Sequence, residues 1–411
     1  MKQQDLIPHL FRTEFRKIVA VLSKFLGIEY IETAEDIASD TFLLAAETWP
    51  YQGLPPNPTA WLYTVAKNKA KNHTIRKQIF NEKIELQLSY QATLIHTAEI
   101  DLSDKNINDS QLQMLFAVCH PLIPVEAQIG LALRVLCGFG IDEIANAFLT
   151  NKETINKRLF RAKEKLRTEK IAIELPPEKE IPKRLEAVLR TLYLLFNEGY
   201  YSETQDTVLR NDFCLEAMRL TYLLTENDST SKPEVKALLS LMCFHASRFE
   251  ARKNINGEII LYHDQNENLW NKELIERGAY FLHQASQGSQ ISRYHLEASI
   301  AYWHTLKADT QEKWDNILQL YNQLLILEYS PIAALNRTFA LAKVYGKATA
   351  IIEAEKLALH DNQYYFTLLG ELYREISPPQ AIAHFQMAYQ LARTKADKHL
   401  IKQQLESLLA T

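Results

Sequence analysis

The chain has 411 residues, of which 47% are hydrophobic and 23% are charged, and its formal net charge at pH 7 is −4. This composition excludes a wholly disordered or fibrous protein, and the length is enough for about two to four domains. With only 11 glycines to form turns and phosphate-binding loops, the sequence favours an all-α fold. It contains no apolar run of about 18 residues and no signal-peptide core, so we expect a cytoplasmic protein that does not enter a membrane.

The cysteines and histidines do not predict a metal site or a catalytic centre. The cysteines are widely spaced and form no Cys-x-x-Cys pair: Cys119, Cys137, Cys214 and Cys243. Such cysteines in a long cytoplasmic chain are typically buried apolar residues rather than zinc ligands. Cys243, His245 and His263 lack a partnered acid at a defined spacing, so they do not predict a nucleophile. We therefore expect no metal, no cofactor and no enzymatic activity.

The charge of the chain is strongly segregated. Residues 61–77 carry five basic side chains and no acid, and residues 151–170 carry eight basic and three acidic side chains. Each segment is thus +5, and the rest of the chain sums to −14. Two short basic segments on an acidic background indicate two nucleic-acid contact sites, although two solvated helix faces would give the same count.

The first 78 residues show the periodicity of helices. Apolar residues repeat every three or four positions over residues 5–48, with a break at Gly27. Thr33 is a candidate N-cap for the following helix, and Trp49 with Pro50 should end it. The proline-rich residues 50–58 predict a rigid loop, after which a helix begins at Thr59 with an apolar first half and a basic second half.

Residues 79–109 predict a linker, and helices should resume at Gln111. Residues 138–167 then predict a helix-turn-helix. Thr150 and Glu153 have the spacing of a capping box at the start of its second helix. Four apolar residues of that helix form one stripe: Ile155, Leu159, Ala162 and Leu166. Its polar and basic residues lie off the stripe, where they could enter a DNA groove.

A second linker is predicted at residues 171–184, and residues 185–411 should form a helical domain. Within this domain an apolar or aromatic residue recurs after 34 positions, at Leu335 and Leu369 and at Phe339 and Tyr373. This period is typical of tetratricopeptide repeats, which stack helix pairs around a concave surface. An irregular helical bundle with a chance match is the alternative.

Together these segments resemble the extracytoplasmic-function sigma factors of bacteria, which are promoter-recognition subunits of RNA polymerase. Residues 34–42 resemble the family's polymerase-binding helix, residues 58–70 its −10 segment, and residues 138–167 its −35 domain. Residues 192–200, 256–265 and 333–337 resemble a subgroup with a long tetratricopeptide-like extension. Two departures are the turn Phe148–Thr150, without the family's glycine, and Lys67 in place of its arginine.

The resemblance implies three sets of site residues. The polymerase-binding set comprises Glu35, Asp36, Asp40, Thr41 and Phe42. The −10 set comprises Trp61, Lys67, Asn68, Lys71, Asn72 and Arg76. The −35 set comprises Lys152, Glu153, Asn156, Lys157, Arg158 and Arg161. Trp61 could stack on an unpaired base, as could Tyr63, although packing of Trp61 into the core is the favoured interpretation.

The acids of the polymerase-binding set could instead be taken for a metal cluster. They lie at the beginning of a helix, where the helix dipole favours acids, and no histidine accompanies them. A surface for the polymerase therefore explains them better.

The sequence thus predicts an all-α protein with two small domains, residues 1–78 and 110–170, followed by a tetratricopeptide-like domain. The expected partners are core RNA polymerase, promoter DNA and a protein or peptide ligand of the extension. Three alternatives are a stand-alone helix-turn-helix regulator, a helical scaffold and an enzyme fused to a DNA-binding domain. Residues 34–46 and 58–76 favour the sigma factor, because a stand-alone regulator would need neither segment.

Overall fold

The computed structural model describes residues 3–84, 100–148, 150–201, 207–252, 260, 262–392 and 395–409. The predicted all-α class is confirmed, since these ranges contain eighteen α-helices and no strand. The chain divides into two compact units, Met1–Thr230 and Ser231–Thr411.

The first unit contains nine helices within the described ranges. They are α1 (Gln3–Leu26), α2 (Ile31–Gln52), α3 (Pro58–Ile84), α4 (Asp104–Val118), α5 (Val125–Leu131), α6 (Ile141–Ala147), α7 (Lys152–Thr168), α8 (Ile181–Tyr201) and α9 (Thr207–Thr225). A 3₁₀ turn, Ile28–Tyr30, precedes α2, and a π-helical segment, Ala132–Leu136, extends α5. Helix α1 packs against α2, α3, α4 and the π-helical segment, so it forms the centre of this unit.

The second unit contains the other nine helices of the described ranges. They are α10 (Pro233–Ala246), α11 (Lys272–Ala285), α12 (Arg293–Trp303), α13 (Gln311–Leu327), α14 (Pro331–Tyr345), α15 (Lys347–Leu357), α16 (Gln363–Tyr373), α17 (Pro378–Leu391) and α18 (Lys395–Leu409). Each helix packs against the next one along the chain. The unit is therefore a sequential helical layer.

The helix ends in the first unit differ from the sequence prediction. Thr33 is not an N-cap, because a 3₁₀ turn after Gly27 leads directly into α2 at Ile31. Pro50 does not end α2, which continues to Gln52. It ends where Gly53, at φ +84°, donates its N–H to Trp49 O over 3.0 Å. A positive φ of this kind favours glycine.

Two linker boundaries also differ. Helix α3 begins at Pro58, where Asn57 Oδ1 accepts from the N–H of Ala60 at 3.0 Å, and it continues to Ile84. Helices resume at Asp104 rather than at Gln111, because Ser103 caps α4 through the N–H of Asn106. The predicted linker thus extends over fewer residues than 79–109, and residues 85–99 lie outside the described ranges.

The compact units do not follow the predicted linker at residues 171–184. Helices α8 and α9 lie in the first unit, and polar contacts accompany their packing. Arg184 Nη2 donates to Phe116 O at 2.7 Å, and Thr191 Oγ1 donates to Gln128 Oε1 at 2.7 Å. Arg219 donates to Leu136 O at 3.1 Å. The first two helices of the predicted extension therefore share a core with the region before it.

Candidate nucleic-acid and polymerase interface

Helix α7 positions the residues expected to contact the −35 element. Its N-cap is Asn151, whose Oδ1 accepts from the N–H of Thr154 at 2.8 Å. The capping box expected between Thr150 and Glu153 is therefore wrong by one residue, since Asn151 takes the cap position. The apolar stripe is confirmed: Ile155, Leu159, Ala162 and Leu166 are all buried.

Most of the predicted −35 set is accessible on one side of α7. The exposed members are Lys152, Glu153, Asn156, Lys157 and Arg161. Arg158 is half-buried, with its guanidinium 5.9 Å from the centre of the Phe148 ring. Lys152 lies 3.0 Å from Asp142, but both side chains are exposed, so this ion pair contributes little to stability. Leu149, in the turn without the glycine, lies outside the described residues.

The sequence analysis missed Phe160 on the same helix. Its side chain is 58% exposed, although large apolar residues of α7 otherwise point into the core. It follows Asn156 by four residues and precedes Arg161, so it lies among the polar and basic residues. The sequence contained a signal for this residue, because Phe160 is an apolar residue that lies outside the buried stripe of α7. Such a ring can contact the C5-methyl group of thymine in a major groove.

Helix α3 carries the residues expected to contact the −10 element. Asn68, Asn72 and Arg76 are exposed, and Lys67 and Lys71 are half-buried. Trp61 is half-buried and packs edge-to-face against Trp49, with ring centres 5.3 Å apart. This packing agrees with the core interpretation of the tryptophan.

Tyr63 is tied to the centre of the unit. Its hydroxyl donates to Glu14 Oε2 at 2.5 Å, and burial together with this carboxylate raises the pKa of the phenol well above its ordinary value. Tyr63 therefore stays neutral and held in place, which disfavours the alternative that its ring stacks on a base.

A short segment before α4 lies beside this face of α3. A cavity of about 550 Å³ is lined by Tyr63, Thr64, Lys67, Ile100, Asp101 and Leu102. The hydrogen bonds from Ser103 and the positive charge of Lys67 lower the pKa of Asp101. An acidic residue of the same chain thus lies near a predicted DNA contact.

The predicted polymerase-binding residues of helix α2 include both buried and exposed side chains. Thr41 and Phe42 are buried, and the Phe42 ring packs against Phe11 and Phe15 with centres 5.1 and 6.3 Å away. Asp36 and Asp40 are exposed. These two side chains are therefore available to a partner, whereas the two buried ones hold the helix in place.

Two further residues extend the exposed stripe of α2. Leu43 is 58% exposed, and Glu47 is exposed one turn further on. Together with Asp36 and Asp40 they follow one another at intervals of three or four residues, which places them on one face. The sequence analysis missed both, because its comparison with the family stopped at Phe42.

The remaining member of the set, Glu35, is only 7% exposed. Its Oε1 accepts from Arg134 Nε at 2.9 Å, and its Oε2 accepts from Lys163 Nζ at 2.9 Å. Lys163 Nζ also lies 3.6 Å from Glu32 Oε1. Arg134 is in the π-helical segment and Lys163 in α7, so this carboxylate joins helices that are far apart in sequence.

The cysteines do not form a reactive site. All four are buried, and none of them forms a disulfide. Burial raises the pKa of Cys119 and of Cys243 to about 12, so neither is a thiolate near neutral pH. His263 is exposed and lies 3.2 Å from Asp264. Across the described ranges, no group of His, Cys, Asp and Glu could hold a metal ion.

The second unit contains a cleft of about 1130 Å³. Helices α13, α14, α16 and α18 line it, with aromatic and charged side chains that include Trp314, Phe339, Lys343, Tyr364 and Arg374. Several of these charges are paired within the cleft, such as Lys343 with Asp309 at 3.0 Å. The cleft thus combines an apolar wall with neutralised charges.

Two known protein families match parts of the chain. The family model of sigma-70 region 2 matches residues 10–78, which include α2 and most of α3. A family of unknown function, DUF6596, matches residues 184–286. No solved structure matches the chain. None of the helices in the described ranges is both long and apolar enough to cross a membrane.

One relative matches along most of the chain. It is the uncharacterized protein R00370 of Rhizobium meliloti (strain 1021), which is 31% identical over 388 residues, or 92% of this chain and 91% of the relative. Its printed name gives no function. At this identity and coverage, the chain belongs to the family of this Rhizobium protein, and its residues 10–78 match sigma-70 region 2.

Proposed function

We propose that the protein is a sigma factor of the extracytoplasmic-function type that binds core RNA polymerase and directs it to specific promoters. It has no catalytic activity of its own and acts in the cytoplasm. The observation that carries the proposal is the pairing of two basic helices in one chain. Helix α3 lies in the matched region 2, and helix α7 follows a short helix in the manner of a helix-turn-helix.

The exposed side chains of the two helices fit two kinds of DNA contact. Helix α7 presents Asn156, Lys157 and Arg161, which have the donors needed for base edges and phosphates in the major groove of the −35 element. Helix α3 presents Asn68, Asn72 and Arg76, which can follow the backbone of the opened −10 element. The exposed acids Asp36 and Asp40 on α2 support the polymerase-binding role of that helix.

The C-terminal helical layer is proposed to be tetratricopeptide-like and to bind a protein or peptide. The packing of the 34-residue pair Leu335 and Leu369 supports this, since both belong to one core cluster together with Phe366 and Phe385. Gly370, which follows Leu369 in α16, permits a close approach of α17, because a Cβ there would lie 2.9 Å from the Phe385 ring.

The net charge of this layer differs from the acidic sum of the chain outside its two basic segments. Residues 231–411 hold 19 basic and 19 acidic side chains, so this part of the chain is neutral. The net charge of this unit therefore does not identify the class of its partner. The proposal for this unit rests on its cleft and its helix packing.

Run-off transcription with core polymerase and a genomic promoter library tests the proposed function. We expect promoter-dependent transcripts from the full chain. Asn156→Ala and Lys157→Ala should lower transcription from the selected promoter while polymerase binding is retained, because a lost base contact costs about 1–3 kcal/mol. Lys165→Ala, an exposed basic residue of α7 outside the −35 set, is the matched control.

A stand-alone regulator with a helical sensor domain is the second candidate, and it shares helix α7. It differs in that it needs no polymerase-binding helix. A pull-down with core polymerase separates the two: if the chain binds the same DNA with and without polymerase and never retains polymerase, the sigma-factor proposal is rejected in favour of the regulator.

A further inference from the structure

We propose that the cleft of the second unit binds an acidic peptide, whose carboxylate lies on the α13–α14 side and whose apolar side chains cover the aromatic wall. The proposal deepens the peptide-binding role proposed above for the helical layer and rests on it. Its starting point is a group of cations on that side of the cleft that a single acid does not balance.

The cations come from different elements of the second unit and meet around Tyr262 and Asp309. Lys313 Nζ donates to Tyr262 Oη at 3.1 Å, and Lys343 lies 3.0 Å from Asp309. The cation cluster consists of Arg248, Lys307, Lys313 and Lys343. Asp309 is the acid of the cleft lining on this side, so four positive charges face one negative charge. Because the unit as a whole is neutral, this is a local excess of positive charge.

Two members of the cluster have no acid of their own. The Arg248 guanidinium lies 5.5 Å from the centre of the Tyr262 ring, and Lys313 Nζ lies 5.2 Å from the same centre. Neither cation takes part in an ion pair within the part of the chain that the structure describes. Burial lowers the pKa of Lys313, Asp309 opposes the effect, and the charges of Arg248 and Lys343 lower the pKa further. A carboxylate beside these cations would relieve their mutual repulsion.

Two buried nitrogen atoms on this side of the cleft call for an oxygen acceptor. Among the described residues, Arg248 Nε and His304 Nδ1 have no hydrogen-bond partner. Buried polar atoms of folded proteins are almost always paired, and an arginine nitrogen can only donate. Burial lowers the pKa of His304 to about 3, so this imidazole adds no charge at neutral pH. An anion with acceptor oxygens, such as a carboxylate, matches both the charge and the hydrogen-bonding capacity of the site.

The wall of the cleft favours a chain-like ligand with apolar side chains. Phe339 is 40% exposed and Tyr364 is 51% exposed, and Trp314 packs edge-to-face on Phe339 with ring centres 5.6 Å apart. These rings offer apolar surface for a ligand to cover. The volume of about 1130 Å³ exceeds the roughly 300–1,000 Å³ that is typical of small-molecule sites. A short stretch of peptide therefore fits the cleft better than a compact cofactor.

The opposite side of the cleft disfavours a nucleic acid. Glu371 and Glu375 line it, and each is matched by one cation, Arg374 at 3.0 Å and Lys347 at 3.1 Å. This side therefore has no excess of positive charge along which a phosphate backbone could continue. One acidic group followed by apolar residues suits the charge distribution of the whole cleft.

The first experiment selects ligands for the full-length protein from a displayed library of short random peptides. We expect enrichment of sequences in which Asp or Glu adjoins aromatic or large aliphatic residues. The selected peptide is then synthesised with the acid and with the corresponding amide. The acid form should bind about tenfold to a hundredfold more tightly, because it makes charge-assisted hydrogen bonds. Equal affinities of the two forms would overturn the carboxylate site.

The second experiment compares the two peptides on Arg248→Gln and on a matched control, Arg277→Gln. Arg277 is exposed on α11, pairs with Glu273 at 2.8 Å and does not line the cleft. The preference for the acid should disappear in Arg248→Gln and persist in Arg277→Gln. The same preference in the parent and in both variants would overturn the assignment to the cation cluster.

Photo-crosslinking of the unmodified full chain keeps the proposal testable if Arg248→Gln does not fold. The peptide carries a benzophenone beside its acid, and mass spectrometry identifies the adducts. They should fall on the cleft, on residues such as Phe339 and Lys343. Adducts confined to the basic helices α3 and α7 would overturn the site. Protection of the cleft by single-stranded oligothymidine would identify a nucleic-acid site and overturn the peptide ligand.

These measurements need neither polymerase nor promoter DNA, so their outcome is separate from that of the run-off assay. Peptides that bind the cleft without preference for an acid would overturn the carboxylate site and leave the peptide-binding role standing. If the library yields no ligand, the acidic-peptide site and the peptide-binding role of the layer both fail, while the run-off assay still decides whether the chain is a sigma factor.

Discussion

At the residue scale, Asp36 and Phe42 were assigned the same role but have opposite environments. Phe42→Ala should destabilise the first unit by about 3–5 kcal/mol, because its buried ring packs on Phe11 and Phe15. Asp36→Arg should leave the unfolding free energy within about 0.5 kcal/mol, because the side chain is exposed, and should weaken polymerase binding. Denaturant unfolding and a pull-down measure the two effects. Wild-type polymerase affinity in folded Asp36→Arg would contradict the interface.

Phe160 allows a test with modified DNA. We expect that replacing a thymine of the −35 element by deoxyuridine lowers binding of the wild-type protein by about 1 kcal/mol, because the ring loses the C5-methyl contact. Phe160→Ala should bind both DNAs equally, and its fold should be unaffected because the ring is 58% exposed. The measurement is a titration at fixed salt concentration. Equal discrimination by both proteins, at every thymine of the element, would remove Phe160 from the interface.

At the element scale, Gly370 tests the packing of α16 on α17. Gly370→Ala should destabilise the second unit by about 1–3 kcal/mol, because its Cβ would lie 2.9 Å from the Phe385 ring, which is fully buried. Thermal unfolding measures the loss. The control is Gln380→Ala, an exposed position of α17, which should change stability by less than about 0.5 kcal/mol. An unchanged midpoint in Gly370→Ala would mean that the two helices separate easily.

The histidines of the second unit predict how its stability depends on pH. Burial lowers the pKa of His304 to about 3, and it also lowers the pKa of His245 and His295. Below pH 6.5 the unfolded chain binds protons that the folded unit does not, so stability falls from pH 6.5 towards pH 3. The slope for His304 is at most about 1.4 kcal/mol per pH unit. His304→Gln should flatten the curve of unfolding free energy against pH; the same slope in the variant would contradict this.

The sequence predicted the presence of helices better than the residues at which they begin and end. The stripe on α7 was predictable because four apolar residues at helical spacing admit one buried face. The helix ends were not predictable from the sequence. Asn151 and Thr150 are both good N-cap residues, and only the tertiary path of the chain decides between them. Glu35 was assigned to a partner by resemblance, but its burial depends on Arg134 and Lys163, which no local pattern connects to it.

At the scale of the whole molecule, the compact units predict where the chain can be divided. We expect residues 231–411 and residues 1–230 each to fold alone, because the division at Thr230 separates the two sets of packed helices. Residues 1–174 should be less stable, since removing α8 and α9 exposes the apolar faces of α4 and α5 and leaves Gln128 without Thr191. Circular dichroism and size-exclusion chromatography of the three fragments measure this. A monomeric 1–174 fragment that unfolds cooperatively at the same temperature as 1–230 would contradict it.

The segment matched by the family of unknown function, residues 184–286, contributes to both units, with α8 and α9 in the first and α10 and α11 in the second. A module that recombines freely between genes has to bring its own core with it. This segment brings only two helices of each unit. Its descent is therefore tied to the sequences on either side, and a gene fusion that carries this segment alone will inherit incomplete parts of two folds, whereas a junction at Thr230 keeps both units whole.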